Sequence, residues 1–175
     1  MKTNLTLLKV ICLTITCLFS SESLAVMQGM STEELTRSSD IVLEGEVKNV
    51  KAYWSKDGKT IFSRAIILDS YVIKGRITQK PVVVEYEGGE IGDTGLKVSD
   101  VVPLKKGEKV ILFLKIGKSK QDGQAMNIVG KGQGKYVIGD DGIARKGGFS
   151  VIHGEELIDN NIHVDKLINK IKKIE

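Results

Sequence analysis

The sequence is poor in the residues that most often carry enzyme chemistry. It contains 2 cysteines, 2 histidines, 2 prolines and 1 tryptophan, and only 5% of its residues are aromatic. So few cysteines exclude a disulfide scaffold, and glycine without a three-residue period excludes collagen. No apolar run is long enough to span a bilayer comfortably, which excludes a multi-span membrane protein. The sequence has too little recognisable chemistry to name a precise activity.

Both cysteines, Cys12 and Cys17, lie in an N-terminal stretch with the pattern of a secretory signal peptide. Residues 1–25 contain early lysines, an apolar run over 10–19 and small residues before a predicted cleavage after Ala25. An uncleaved membrane anchor and a lipoprotein are the alternatives. Cleavage would leave a single domain over 26–175, free of cysteine and therefore without a thiol nucleophile. We expect a periplasmic or secreted protein.

The composition of the chain favours a globular domain. Apolar residues make up 41% and charged residues 27%, and the formal net charge is +4. This mild basic excess gives little reason to expect a nucleic acid or an anionic membrane as the partner. We expect no stable membrane insertion once the signal peptide is removed.

Short apolar stretches separated by turn signals predict a β-rich fold. Residues 41–48 alternate apolar and polar side chains, and Asp57-Gly58 is a typical hairpin turn. Further strands are predicted over about 60–73, 82–86, 110–116, 126–129 and 135–138, with a short strand near residue 143. Many short strands with glycine at their turns are typical of a barrel or sandwich. The predicted fold is mainly β, an OB-like antiparallel β-barrel with a helix at each end.

Two patterns predict those helices. Ser31 and Glu34 have the spacing of a capping box, which predicts a short helix over about 31–38. The C-terminal stretch of about 163–174 has apolar residues at helical spacing on one side and lysines on the other. This amphipathic helix either packs on the barrel or presents its basic side to a partner or a membrane surface.

An acidic, glycine-rich loop over 87–100 contains the first candidate site. Glu87, Glu90 and Asp93 are candidate calcium ligands, because calcium takes six to eight oxygen ligands. The ligand spacing of an EF-hand is absent, and a solvated surface loop is the alternative. We also predict that Glu90, Ile91 and Asp93 contact a partner, since loops on a rigid scaffold often carry recognition.

A second glycine-rich stretch, 130–135, contains Lys131 and Gln133, which are the other candidate partner contacts. Its third glycine comes one residue too early for a dinucleotide-binding loop, and strand residues follow instead of a helix. The glycines are expected to form a bulge or sharp bend within a pair of strands over 126–129 and 135–138.

The two imidazoles give little support for catalysis. His153 and His163 are ten residues apart in sequence, which does not match the one-turn spacing of a helical metal pair. Glu155 and Glu156 lie near His153 and could complete a zinc or copper site. We expect instead a surface His153, a His163 near the start of the final helix, no catalytic residue and no cofactor other than calcium.

Three stretches carry a resemblance to known proteins: 39–47 (SDIVLEGEV), 88–92 (GGEIG) and 106–114 (KGEKVILFL). In this order they resemble a family of small exported proteins of bacteria and archaea, some of which look like partners of secreted metalloprotease domains. The pattern is also similar, more distantly, to the netrin/tissue-inhibitor-of-metalloproteinase module. That similarity implies an OB-like barrel with terminal helices. The inhibitors insert an N-terminal Cys at the protease zinc, whereas Val26 stands at the predicted mature start here.

Together these features predict an exported, non-catalytic binding or assembly module that acts through protein–protein contacts. The alternatives are a regulator or inhibitor of a secreted protease, and a hydrolase with an unrecognised site. The fold alone does not separate these three functions.

Overall fold

The computed structural model describes residues 27–121 and 123–174, so the predicted signal peptide lies outside the described residues. Two α-helices flank the strands: α1 (Thr32–Ser38) and α2 (Val164–Lys172). The strands are β1 (Ile41–Trp54), β2 (Ile61–Lys74), β3 (Val82–Glu87), β4 (Gly89–Ile91), β5 (Thr94–Leu96), β6 (Lys109–Lys118), β7 (Gln124–Ile128), β8 (Lys135–Ile138), β9 (Ile143–Arg145) and β10 (Ile162–His163). Two 3-10 helices cover Lys131–Gly134 and Glu155–Leu157.

Five strands close into a ring in the order β1, β2, β3, β7, β6 and back to β1. The predicted OB-like barrel is therefore confirmed. One pairing in the ring differs from the expected antiparallel pattern, because β3 and β7 run parallel. Strands β8, β9 and β10 extend the sheet outward from β6, and β4 pairs with β5 as a separate hairpin.

The long hairpin of β1 and β2 supplies the curvature that closes the ring. Each strand has 14 residues, and Gly58 takes a positive φ of 68° in the predicted turn. Register shifts interrupt the pairing at three places in β1, and such bulges bend a strand. A Cβ on Gly45 would lie 2.6 Å from the Ile67 side chain, so glycine permits close approach at the bend. The first half of β1 can therefore also pair with β6.

The alternation of β6 divides the apolar residues into two clusters. Val110, Leu112 and Leu114 point into the barrel, whereas Ile111 and Phe113 point outward beneath the helices. The outer cluster also contains Leu35 of α1 and Leu167 of α2. The helices thus cover the outer face of a strand that is buried on both sides.

The predicted helices are confirmed by their caps. The Ser31 hydroxyl accepts a hydrogen bond from the Glu34 amide, and the Glu34 carboxylate accepts one from the Ser31 amide at 2.8 Å. His163 is the N-cap of α2, where its ring accepts a hydrogen bond from the Asp165 amide. None of the helices within 27–121 and 123–174 is long and apolar enough to cross a membrane.

The two strands predicted around the glycines of 130–134 are present, but their predicted pairing with each other is wrong. β7 and β8 both pair with β6, one after the other along the edge that faces away from β1, and not with each other. The glycine-rich stretch is a 3-10 helix between the two, where β7 has paired with 114–118 of β6 and β8 goes on to pair with 110–112. A Cβ on Gly134 would lie 2.1 Å from the Val129 carbonyl oxygen, so glycine permits the sharp bend that is predicted at this point.

Candidate functional site

The acidic loop, 87–100, packs against one end of the barrel. Its first part forms the β4–β5 hairpin, and the Ser63 hydroxyl donates to the Gly88 carbonyl at 2.7 Å. Gly89 has a φ of 137°, and a Cβ there would lie 2.5 Å from the Ser63 hydroxyl. Glycine is therefore required where the hairpin meets β2.

The far side of the loop is held by two polar anchors. The Leu104 amide donates to the Tyr86 hydroxyl at 3.2 Å. The Lys135 ammonium donates to the Pro103 carbonyl and to the Glu108 carboxylate, both at 2.7 Å. Burial lowers the pKa of Lys135, although its pairing with Glu108 opposes that shift. The loop is thus tied to the barrel on both sides of the surface that it covers.

Beneath the loop lies a first cavity of about 450 Å³ with largely apolar walls. Its walls include Tyr86, Leu96, Val98, Val101 and Pro103, and its charged lining residues are Glu87, Glu90 and Lys97. Tyr86 also packs against the interior cluster of the barrel. The cavity therefore lies where the end of the barrel meets the loop.

A second cavity of about 270 Å³ lies next to the first. The two share four lining residues: Tyr86, Glu87, Val98 and Val101. Phe62 and Ile128 add apolar surface to the second cavity, and Lys120 and Lys131 add positive charge. We call the two cavities and their lining residues the cleft.

The buried carboxylate of Glu85, which also lines the second cavity, is fully engaged. Its side chain is 2% exposed and accepts hydrogen bonds from the Arg64 guanidinium at 2.6 Å and the Ser119 hydroxyl at 2.7 Å. The Lys120 amide donates to its other oxygen at 3.0 Å. Burial favours the neutral acid, but these donors outweigh it and lower the pKa of Glu85.

The Tyr53 hydroxyl is buried near this carboxylate without meeting the geometry of a hydrogen bond. Burial, followed by the influence of Glu85, raises the pKa of Tyr53 to about 12. Tyr53 therefore stays uncharged at neutral pH.

The structure brings the two predicted surfaces together. The Gly132 amide donates to the Asp100 carbonyl at 2.8 Å, which joins the glycine-rich 3-10 helix to the acidic loop. Glu87 lines both cavities, Glu90 lines the first and Lys131 lines the second. Ile91 is half-buried in β4, and Asp93 is exposed at the hairpin turn, where neither lines a cavity.

Gln133 does not lie on the surface that we predicted for it. Its side chain is 1% exposed and accepts a hydrogen bond from the Met30 amide at 2.7 Å. Its amide group donates to the Gln28 carbonyl at 2.9 Å. Gln133 therefore anchors the segment that precedes α1 and is not available to a partner.

The calcium candidates are not gathered into a site. Within residues 27–121 and 123–174, no group of three or more His, Cys, Asp or Glu side chains is placed to hold a metal ion. His153 is exposed and its carbonyl accepts a hydrogen bond from the Gly29 amide, while His163 caps α2. Calcium binding remains a prediction from the sequence.

Most of the apolar lining was missed by sequence analysis. Phe62, Tyr86, Val98, Val101 and Ile128 come from four separate stretches of the chain. Each stretch looks like ordinary strand or loop sequence. The unusual density of glycine and acid in 87–100 was the one signal that pointed to this end of the barrel.

Comparison with known proteins found no matching family model, no matching curated protein and no matching solved structure.

Proposed function

We propose that this chain is an exported, non-catalytic binding module whose protein partner docks over the cleft. The observation that carries the proposal is the pair of adjoining, mainly apolar cavities, open to solvent beneath a loop that is anchored on both sides. The leader-like pattern of residues 1–25 supports export.

The cleft has the composition of an interaction site. Apolar surface exposed to water in a concave site commonly marks a place where another molecule binds. Its rim contains the exposed side chains of Glu90, Lys97 and Lys131. An apolar centre bordered by solvated charges is the usual arrangement of a protein interface.

The β4–β5 hairpin extends this surface beyond the cavities. Glu90, Asp93 and Thr94 are exposed on it, directly beside the first cavity. A partner that filled the cleft would also meet this hairpin, and the contact area would exceed that of a small ligand. This continuity favours a macromolecular partner.

The test is photo-crosslinking in the native envelope, with benzoylphenylalanine replacing Lys97 in the cleft. A matched protein carries it at Lys166, an exposed position on α2. We expect one dominant protein adduct from position 97 and none from position 166. The adduct should be lost when Val98→Asp is added, because a carboxylate there opposes burial against an apolar partner.

Equal crosslinking from positions 97 and 166, or an adduct that survives Val98→Asp in a folded protein, would contradict docking at the cleft. Identification of the adduct by mass spectrometry then decides between an assembly partner and a protease.

A further inference from the structure

We propose that the second cavity accepts an apolar side chain of the partner that is followed by a carboxylate, and that Lys120 and Lys131 bind this carboxylate. The inference rests on the proposed function, because it names the chemistry of the partner segment that enters the same cleft. It concerns the smaller of the two cavities, which combines apolar walls with two lysines.

The size and walls of the second cavity suit a side chain. Its volume is about 270 Å³, below the range of roughly 300–1,000 Å³ that is usual for small-molecule and cofactor sites. The half-buried side chains of Phe62, Val98, Val101 and Ile128 form apolar walls. Such a pocket can bury one large apolar side chain, which is the typical anchor of a protein interface.

The charge presented by this pocket is positive, although Glu85 lies in its wall. Arg64 and Ser119 donate hydrogen bonds to the Glu85 carboxylate, and the positive charge of Arg64 balances its negative charge. Among the described residues, no hydrogen bond or ion pair engages the exposed ammonium groups of Lys120 and Lys131. These two cations are therefore free to pair with a group that arrives from outside.

Both lysines project from backbone that the fold holds in place. The Lys120 amide is bonded to Glu85, as described above. Lys131 has a positive φ of 53° between Gly130 and Gly132, a conformation that glycine adopts more readily. The Gly132 amide donates a hydrogen bond to the Asp100 carbonyl, which holds this turn beside the cavity.

The remaining charges set the direction of the partner segment. Glu87 lies at the boundary between the cavities, and Glu90 lines the first one. Like charges in proximity repel, so a carboxylate of the partner is disfavoured beside Glu87 and Glu90. The apolar anchor should therefore enter the second cavity with its carboxylate toward Lys120 and Lys131.

The experiment uses three acetylated and amidated pentapeptides of sequence Gly-Phe-Leu-X-Gly, with X as Glu, Gln or Lys. Each is titrated into the ¹⁵N-labelled protein and amide shifts are followed by NMR. We expect saturable shifts around Phe62, Val98 and Ile128. The Glu peptide should bind roughly fivefold more tightly than the Gln peptide, and the Lys peptide should bind most weakly.

The variant Lys120→Gln with Lys131→Gln should reduce the affinity for the Glu peptide to that for the Gln peptide. The matched control, Lys166→Gln in α2 with Lys173→Gln at its C-cap, lies outside the cleft lining, changes the net charge equally and should leave the preference intact. Equal binding of the three peptides, shifts confined to the first cavity, or no shift at millimolar peptide would overturn the inference. Crosslinking from position 97 tests the proposed function separately. If the adduct still forms when both lysines are replaced, the partner docks at the cleft but does not use a carboxylate that binds Lys120 and Lys131.

Discussion

Polar groups are hydrogen-bonded inside the protein in one region, which we call the seam, and are exposed to solvent in the cleft. The seam is the region where 27–32 and 146–163 close over Tyr136 on the outside of the barrel. In the seam, the buried Tyr136 hydroxyl meets the Thr32 hydroxyl at 3.2 Å and donates to the Asp159 carbonyl at 3.0 Å. In the cleft, the ammonium groups of Lys120 and Lys131 face solvent without a partner among the described residues.

Solvation explains the difference. A polar group shielded from water destabilises the fold unless it is hydrogen-bonded, so the seam must satisfy its groups internally. Water solvates the charges of the cleft, so they can remain unpaired without destabilising the fold. Substitutions in the seam should therefore change stability, and substitutions in the cleft should change binding with little effect on stability.

The largest loss of stability should come from Gly29→Ala in the seam. A Cβ at this position would lie 2.1 Å from the Gly154 carbonyl oxygen, and both backbone segments are held by the bond from the Gly29 amide to the His153 carbonyl. We expect the free energy of unfolding to fall by about 3 kcal/mol or more. Urea denaturation measures it.

Gly147→Ala is the matched control, because a Cβ at Gly147 would meet nothing within 4 Å. Its effect should stay within about 0.5 kcal/mol. If the two alanine variants were equally stable, the close contact in the seam would not exist.

Lys146 is the exception in the seam. The residue is 8% exposed, its ammonium lies 4.4 Å from the centre of the Tyr136 ring, and no described residue accepts a hydrogen bond from it. Burial lowers its pKa to about 7; Asp159 opposes this shift, and Lys170 adds to it. Asp159 is itself paired with Lys170 at 2.5 Å. A 480 Å³ cavity beside Lys146 has a more polar lining than the cleft.

This lowered pKa predicts a pH-dependent stability. Between pH 7 and the ordinary lysine pKa of 10.5, the unfolded chain binds a proton that the folded chain does not. The contribution of Lys146 to the free energy of unfolding therefore rises with pH across this window and is level below pH 7. Lys146→Met should remove that rise and stabilise the protein at pH 7 by about 4 kcal/mol.

Urea denaturation of both proteins at pH 7 and pH 9.5 tests this prediction. The difference between the two proteins isolates Lys146, because other titrating groups are common to both. Lys48→Met, at an exposed position of β1, serves as the control. A stability gain of Lys146→Met that is no smaller at pH 9.5 than at pH 7 would show that Lys146 is not buried as a neutral amine.

The smallest effect on stability should come from substitutions in the β4–β5 hairpin beside the cleft. Glu90→Ala combined with Asp93→Ala removes two exposed carboxylates of the hairpin. We expect the free energy of unfolding to change by less than about 0.5 kcal/mol, while crosslinking from position 97 decreases. A large loss of stability would mean that the hairpin is held by these side chains, and the contrast between cleft and seam would fail.

The strands and helices could be predicted because their signals are local. Alternation in β1, the Asp57-Gly58 turn and the Ser31–Glu34 capping box each involve neighbouring residues, and all three appear in the structure. The pairing of β7 and β8 with β6, and not with each other, was missed, because it depends on contact with a third strand. Sequence spacing contains no information about such a contact.

The candidate site was predicted only in part. The composition of 87–100 indicated the end of the barrel where the cleft lies, and Glu87, Glu90 and Lys131 do line the cleft. Gln133 was misplaced because a polar side chain in a glycine-rich turn looks exposed until its partners, Met30 and Gln28, are known.

The sequence by itself determined that the chain forms a β-rich fold with capped helices at both ends, because periodicity, turn residues and caps act over a few residues. Only the tertiary structure decided which charges are paired. Closing the ring buries Glu85 against Arg64 and leaves Lys120 and Lys131 beside an apolar pocket. Burial and pairing depend on segments far apart in the chain, and these distant contacts separate the charges that stabilise the fold from those left to the solvent.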